Sequence, residues 1–533
     1  MSDNKDRQLL GKCIISSATA LFDSTKCEHP LDNSVVNVLK KLHDSIDDDS
    51  DDFRIFRFRQ EIINPLWCTL IEKAIKCLRY YDTREPFNKS DGKKSPKAYG
   101  VAELKKYYND YIEFEQLLYG SNRYYRDHVV HVFRTWLSGV VLLVKNNGKY
   151  LDMLSSHGRD YDGELAREEK LSMWTLIALT HDLGYPLQKA KRIIDATRNM
   201  VATFVSNPDI SMDLSFHGVQ NYMNDFIVRL MSSKMRKHRM ETEVVDGVEK
   251  EVQVYVARLQ PKYYFKFQKS LEGNNHGILS TLIIYKLLTY FLESDYSINE
   301  DYIFFPEDQR QFFIRREILR SIASHTCNDV YQLYMTSFSF LLRICDDTQD
   351  WGRKSISELY ATSTIKYQLE DIDLHFDGND ENPLHSCTIN EKFSSIDDTE
   401  AVELINRLRN QSLVYMTIFR DGQDTARRDF SFKRKLIISF NEVTISLELN
   451  IAKDSASQLT GRIDYPSDDT IKKTLEAGFF ENVESFDWKS GLSLFDRSGN
   501  ACGTLVKDSE GKVNQLKNHT EWSYGEFAVL LTS

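Results

Sequence analysis

Five apolar stretches of helical character in the middle of this chain, at 129–144, 171–179, 278–292, 312–323 and 333–344, each carry or adjoin a histidine or an aspartate. That coincidence constrains the fold more than any other feature. In "RYYRDHVVHVFRTWLSG" (123–139), His128 and His131 are three residues apart and share one helix face. In "ALTHDLGYPLQ" (178–188), His181 and Asp182 stand together where the run "LSMWTLIAL" stops. His276 opens a further segment, "NNHGILSTLIIYKLL" (274–288), behind Asn274 and Asn275, either of which can cap a new helix. In "EILRSIASHTCND" (317–329), His325 continues the i, i+4, i+7 line of Ile318 and Ile322. Asp346 lies one turn after Leu342 in "FLLRICDDTQDWGR" (340–353), again on the buried side. Burying each of these groups unpaired costs on the order of several kcal/mol. A shared divalent ion removes that cost, because imidazole and carboxylate lone pairs are what such ions bind. At the His181–Asp182 end, Gly184 is expected to stop the helix in a left-handed conformation, and Pro186 to block its continuation. A helix end lets both side chains face one ion.

The rest of the chain is read around this core. At 533 residues, two or three domains are expected. The predicted architecture is mainly α, a helical bundle with a β-hairpin insertion, followed by a smaller C-terminal α+β domain. An N-terminal helical segment covers 1–100, with periodicity in "VVNVLKKLHDSI" and "NPLWCTLIEKAIKCLRYY", and with solvated loops at "DDDSDD" (47–52) and 84–100. The bundle covers 101–370, with an insertion at about 200–265 in which "METEVVDGVEKEVQVYVARL" signals a hairpin turning at Asp246-Gly247. The stretch 371–386 is predicted to be a polar loop. Residues 390–533 form the strand-rich domain, with strands at 412–422 and 432–451.

Composition sets limits on function. The net charge of −11 argues against a general nucleic-acid binder. No run approaches the ~18 apolar residues of a membrane span, and "MSDNKDRQLL" lacks a signal-peptide pattern. The eight cysteines show no CxxC pairing, so neither a disulfide framework nor a thiolate zinc site is expected, and the compartment expected is the cytoplasm.

The order His, His-Asp, His, His, Asp on successive helices resembles the HD superfamily of metal-dependent phosphohydrolases, over about 120–355. The motifs are "HD" followed by Leu-Gly, the helix start "HGILS", and the late Asp before "QDWGR". The resemblance implies an HD-type bundle in which His131, His181, Asp182 and Asp346 bind a metal. His276 and His325 match the extra histidines of two-metal members, with Asp182 suited to bridging. Eukaryotic cyclic-nucleotide phosphodiesterases place a leaving-group histidine four residues before the first metal histidine; here His128 lies three before His131. Which of the two is the first ligand stays open. The chain departs from the deoxynucleoside triphosphohydrolase motif after Pro186, and it lacks the acidic pair of the alarmone hydrolases.

The implied activity is hydrolysis of a phosphoester or phosphoanhydride bond (EC 3.1 class), in a nucleotide or cyclic nucleotide, by a metal-bound hydroxide. Asp182 and His128 are the catalytic candidates, His128 as proton donor to the leaving oxygen. One or two divalent ions are implied: Mn, Fe, Co, Ni or Zn, with Mg also compatible. Lys189, Arg192, Arg126 and Arg353 are candidates for substrate phosphates. The expected partner is a small phosphorylated molecule; a homo-oligomer is compatible, and a membrane is not expected. Two other classes fit the same residues: a metal- or nucleotide-binding regulatory module without turnover, and a mixed-valent di-iron oxygenase. No motif assigns a role to 390–533 or to the insertion.

Overall fold

The computed structural model describes residues 5–11, 21–46, 52–82, 97–121, 128–154, 163–203, 205, 219–245, 248–293, 302–327 and 336–349, and eight strands beyond them. The chain divides into two units, Asp3–Val330 with Tyr334–Gln349, and Asp350–Ser533. The first unit is helical. Its elements are α1 (Lys5–Leu9), α2 (Asn33–Asp44), α3 (Asp52–Tyr80), α4 (Val101–Ser121), α5 (Val129–Met153), α6 (Arg167–Thr180), α7 (Tyr185–Val201), α8 (Val219–Ser232), β1 (Ser233–Val245), β2 (Val248–Leu259), α9 (Pro261–Glu272), α10 (His276–Leu287), α11 (Thr289–Leu292), α12 (Pro306–Ser324) and α13 (Phe338–Thr348).

The centre of this unit is α6, whose residues from Glu168 to Thr180 are all buried. It has no polar stripe because α3, α5, α12 and α13 surround it. Trp136 and Trp174 interlock across α5 and α6: Trp174 Nε1 donates to the Trp136 carbonyl at 3.0 Å, and Trp136 Nε1 to Thr175 Oγ1 at 3.0 Å. Gly139 makes room for this, since a Cβ there would lie 2.0 Å from the Trp174 ring. The N-terminal helices belong to the same unit. On α3, Trp67 Nε1 donates to the Leu179 carbonyl at 2.8 Å, and Asp6 on α1 forms a buried bidentate pair with Arg134 of α5.

Near its C-terminus α5 is broken. Asn146, Asn147 and Gly148 take positive φ (52°, 58° and 78°), a left-handed run that these residue types tolerate. The expected hairpin is present as the antiparallel pair β1–β2, with Val245 opposite Val248. Its base is buried at Met235 and at 254–257, and both strands are exposed further out. Among the described residues, no helix is long and apolar enough to cross a membrane.

The described residues of the second unit are strands: β3 (Tyr367–Asp377), β4 (Ser386–Ser395), β5 (Ser431–Phe440), β6 (Val443–Ile451), β7 (Gln458–Asp464), β8 (Leu492–Phe495), β9 (Ala501–Leu505) and β10 (Ala528–Leu531). They form one sheet in the order β3-β4-β5-β6-β7-β10-β8-β9. All neighbours are antiparallel except β4 and β5, which run parallel. On β4, Ile389, Glu391 and Phe393 are buried; on β5, Arg434 and Leu436 are. Arg434 closes a bidentate pair on Glu391 at 2.8 and 3.1 Å, which compensates both buried charges. The polar loop expected at 371–386 is corrected at its start. Residues 371–377 belong to β3, where Ile372, Leu374 and Phe376 alternate with polar residues at the period of a strand. The strand expected at 412–422 lies outside the described residues.

Candidate metal centre

Between Thr180, the last residue of α6, and Tyr185, the first of α7, only His181 to Gly184 intervene, so the HD pair sits on a tight corner joining two helices. Gly184 is not left-handed there (φ −79°, ψ −7°), which corrects the expected helix stop. Its requirement is space: a Cβ would meet the His276 carbonyl at 2.4 Å and Leu279 Cβ at 2.6 Å. Pro186 likewise does not end a helix but starts the next one, where its missing N–H costs nothing. Ser280 ties the corner to α10. Its hydroxyl accepts from the Gly184 N–H at 2.7 Å and donates toward the carbonyls of His181 (2.6 Å) and His276 (2.8 Å). At Gly277 a Cβ would meet the Ile322 carbonyl at 2.8 Å and His325 Cε1 at 2.9 Å, so α10 and the end of α12 touch there as well. The glycine and serine of "HGILS" are thereby accounted for by close approach. Asn275 is the residue before α10, but its side chain donates to Ser270 Oγ and does not cap the helix.

Six of the predicted residues meet at this junction. They form three overlapping groups, His131–His181–Asp182, His181–His325–Asp346 and Asp182–His276–His325, each with ligand atoms within 4.8 Å of one another. Asp182 stands between two sets. Its Oδ2 faces His181 Nε2 at 3.5 Å and His131 Nε2 at 3.7 Å. Its Oδ1 faces His276 Nε2 at 3.2 Å and His325 Nε2 at 3.5 Å. Asp346 Oδ1 joins the first set, at 2.9 Å from His131 Nε2 and 3.7 Å from His181 Nε2. Two ligands each ~2.1 Å from a common ion lie ~3.0–3.4 Å apart at tetrahedral or octahedral angles, and these separations bracket that range.

The rings are all turned the same way. Nδ1 of His181 donates to the Ala178 carbonyl at 2.8 Å, and Nδ1 of His325 to the Ile322 carbonyl at 2.5 Å. Nδ1 of His276 donates to Gln188 Oε1 at 2.6 Å, and Nδ1 of His131 to Gln349 Oε1. An oxygen acceptor at Nδ1 directs every Nε2 to the carboxylates, the arrangement of metal-binding histidines. The Nε2 atoms of His181 and His325 are buried and have no hydrogen-bond partner. A divalent ion would satisfy both, so the donor set fits a metal.

The charges respond to one another. Burial alone would lower the proton affinity of His181, but Asp182 and Asp346 outweigh it and raise its pKa to about 9. For His325 burial wins, and its pKa is lowered. Burial opposes ionisation of Asp182 and Asp346, yet the surrounding histidines hold both well below the usual carboxylate range. Both carboxylates are thus held in the ionised form that a cation would need as ligand.

His128 stands outside the three groups. It precedes α5, its backbone N–H donates to the buried Glu115 at 2.7 Å, and its Nδ1 lies 3.7 Å from the same Oε1. Its ring stacks on Tyr185 at 3.8 Å, and Tyr185 meets His276 edge-on at 5.4 Å. Lys189 places its ammonium 4.8 Å from the centroid of the Tyr185 ring. Arg126, Arg353 and the side chain of Arg192 lie outside the described residues. Gln188, Gln349 and Glu115 were not singled out from sequence. Gln349 had a signal, three residues after Asp346 on the same helical line, whereas Gln188 and Glu115 had none. No protein-family model, no curated protein sequence and no solved structure matches this chain.

Proposed function

We propose that the chain is a metal-dependent phosphohydrolase cleaving a phosphoester or phosphoanhydride bond in a nucleotide or cyclic nucleotide, as its resemblance to the HD superfamily implies. The observation that carries this reading is the division of the Asp182 carboxylate between two histidine pairs. His131, His181, Asp182 and Asp346 would hold one divalent ion, and Asp182, His276 and His325 a second. Such ions supply Lewis-acid activation of water and neutralise charge on a phosphoryl group. The mixed imidazole and carboxylate set suits Mn, Fe, Co, Ni or Zn.

The chain's own residues perform the rest. Gln188 and Gln349 keep the His276 and His131 rings in their orientations. His128, held by Glu115 and backed by Tyr185, is the candidate proton donor to the leaving oxygen. The deciding experiment is elemental analysis of purified protein, combined with chromatography of a nucleotide and cyclic-nucleotide panel incubated with Mn or Fe. Hydrolysis of a panel member by the wild type and not by Asp182→Ala is expected. Bound metal with the whole panel left intact would overturn the hydrolase reading and favour a binding module.

A further inference from the structure

Away from the metal centre, the fold brings together two cysteines that lie 50 residues apart. Cys27 Sγ and Cys77 Sγ are 3.8 Å from each other, in van der Waals contact. Cys77 belongs to the last turns of α3 and is wholly buried, whereas Cys27 is partly exposed. The loop that carries Cys27 is anchored on both sides of it. Before it, the Asp23 N–H donates to Glu168 Oε1 at 2.8 Å. After it, His29 is fully buried, its Nε2 3.0 Å from Ser24 Oγ and its Nδ1 accepting from the Leu31 N–H at 3.2 Å. Beyond that, the Asp32 carboxylate binds Lys73 of α3 at 2.5 Å. The thiols are therefore held in register by other contacts, and little chain entropy remains to be lost when they join.

We propose that Cys27 and Cys77 form a reversible intrachain disulfide, a modification site that takes hydrogen peroxide or a small-molecule disulfide as its oxidant. Cys27, the accessible partner, reacts first. With peroxide, its thiolate displaces hydroxide from the O–O bond and becomes a sulfenic acid. The sulfur of Cys77 then attacks that sulfur, the S–S bond forms, and water leaves with the Cys77 proton. Two thiols lose two electrons in all, and one peroxide is reduced to two waters. With a small disulfide, the Cys27 thiolate breaks its S–S bond, forming the mixed disulfide and releasing one small thiol; Cys77 then attacks the Cys27 sulfur and expels the second. Burial pushes the Cys77 thiol well up, so it reacts as the second, resolving partner and not as the first nucleophile. The product ties the N-terminal loop covalently to α3, the helix whose Trp67 holds the Leu179 carbonyl two residues before His181.

The test uses the full chain, treated with hydrogen peroxide or glutathione disulfide, denatured, alkylated and digested without reductant. A peptide pair joining Cys27 to Cys77 is expected, with two fewer alkylatable thiols and a mass loss of about 2 Da per chain, reversed by dithiothreitol. Cys27→Ser, at a partly exposed position, should fold and leave Cys77 alkylatable; thermal melting of that variant verifies the fold. Recovery of Cys27 as a sulfinic acid or a stable mixed disulfide, with Cys77 still a free thiol, would overturn the proposal. So would survival of both thiols under oxidant.

Discussion

Asp182 and His128 should fail in different ways, because one faces both halves of the ligand set and the other stands beside it. Asp182→Ala removes the carboxylate shared by His131, His181, His276 and His325, so metal content and hydrolysis are expected to fall together. His128→Ala should keep its metal and lose ~10²–10⁴-fold in turnover, as removal of a general acid does. A p-nitrophenyl ester needs little leaving-group protonation and should recover much of that loss; metal loss in His128→Ala would instead make His128 a ligand. Gln349→Ala and Gln188→Ala leave the ligands in place but free the His131 and His276 rings to turn. A fall of ~10–100-fold in metal affinity is expected for each, read by competition with a metal chromophore. Unchanged affinity would show that packing alone orients the rings.

The elements matter through how closely their ends approach. The corner between α6 and α7 carries two ligands because Gly184 lets it rest on the first turn of α10. Gly184→Ala forces a Cβ into the His276 carbonyl and should cost about 1–3 kcal/mol or more, with metal affinity falling in parallel; a variant as stable as wild type would show that the corner can shift. A second junction is electrostatic. Lys170 of α6 donates to the carbonyls of Leu151 (3.1 Å) and Asp152 (2.7 Å) at the end of α5, and burial pushes its pKa down to about 8. That value lies below the ~10.4 of an unfolded lysine. Between the two, the unfolded chain binds the extra proton, so stability rises with pH across this window, and the cost of burying the charge is fully present below about 8. Relative to Lys170→Met, wild-type stability should therefore gain up to about 1.4 kcal/mol per pH unit across the window, measured by urea denaturation near pH ~7.5 and ~9.5. Parallel behaviour of the two proteins would refute the shift.

At the scale of the whole molecule, the six ligand-type residues all belong to the helical unit, and the strand-rich unit contributes none of them. Metal binding should therefore stabilise one cooperative unit and not the other. Calorimetry with and without a chelator is expected to show one transition lowered by roughly 5–10 °C, the effect of losing a ligand present at ~1,000 times its Kd, and the other unmoved. Equal shifts in both would mean that the two units unfold together.

Helical periodicity and the positions of His181, Asp182, His276, His325 and Asp346 were legible in the sequence, because an ionisable residue on an apolar helix face is costly wherever it is buried; between His128 and His131 the sequence did not choose, and only the fold groups His131 with the others. The hairpin was legible at Asp246-Gly247 for the equally local reason of turn chemistry. What local pattern could not reveal were the relations between segments distant in the chain. Gly184 read as a helix stop because nothing in "HDLGYP" announces a carbonyl from residue 276 at 2.4 Å. Gln188, Glu115 and the Cys27–Cys77 contact read as ordinary residues because their partners come from other segments. The split of the Asp182 carboxylate between two pairs of rings is of the same kind: sequence supplies the ligand types, but only the packing of α5, α6, α10, α12 and α13 decides which oxygen faces which nitrogen.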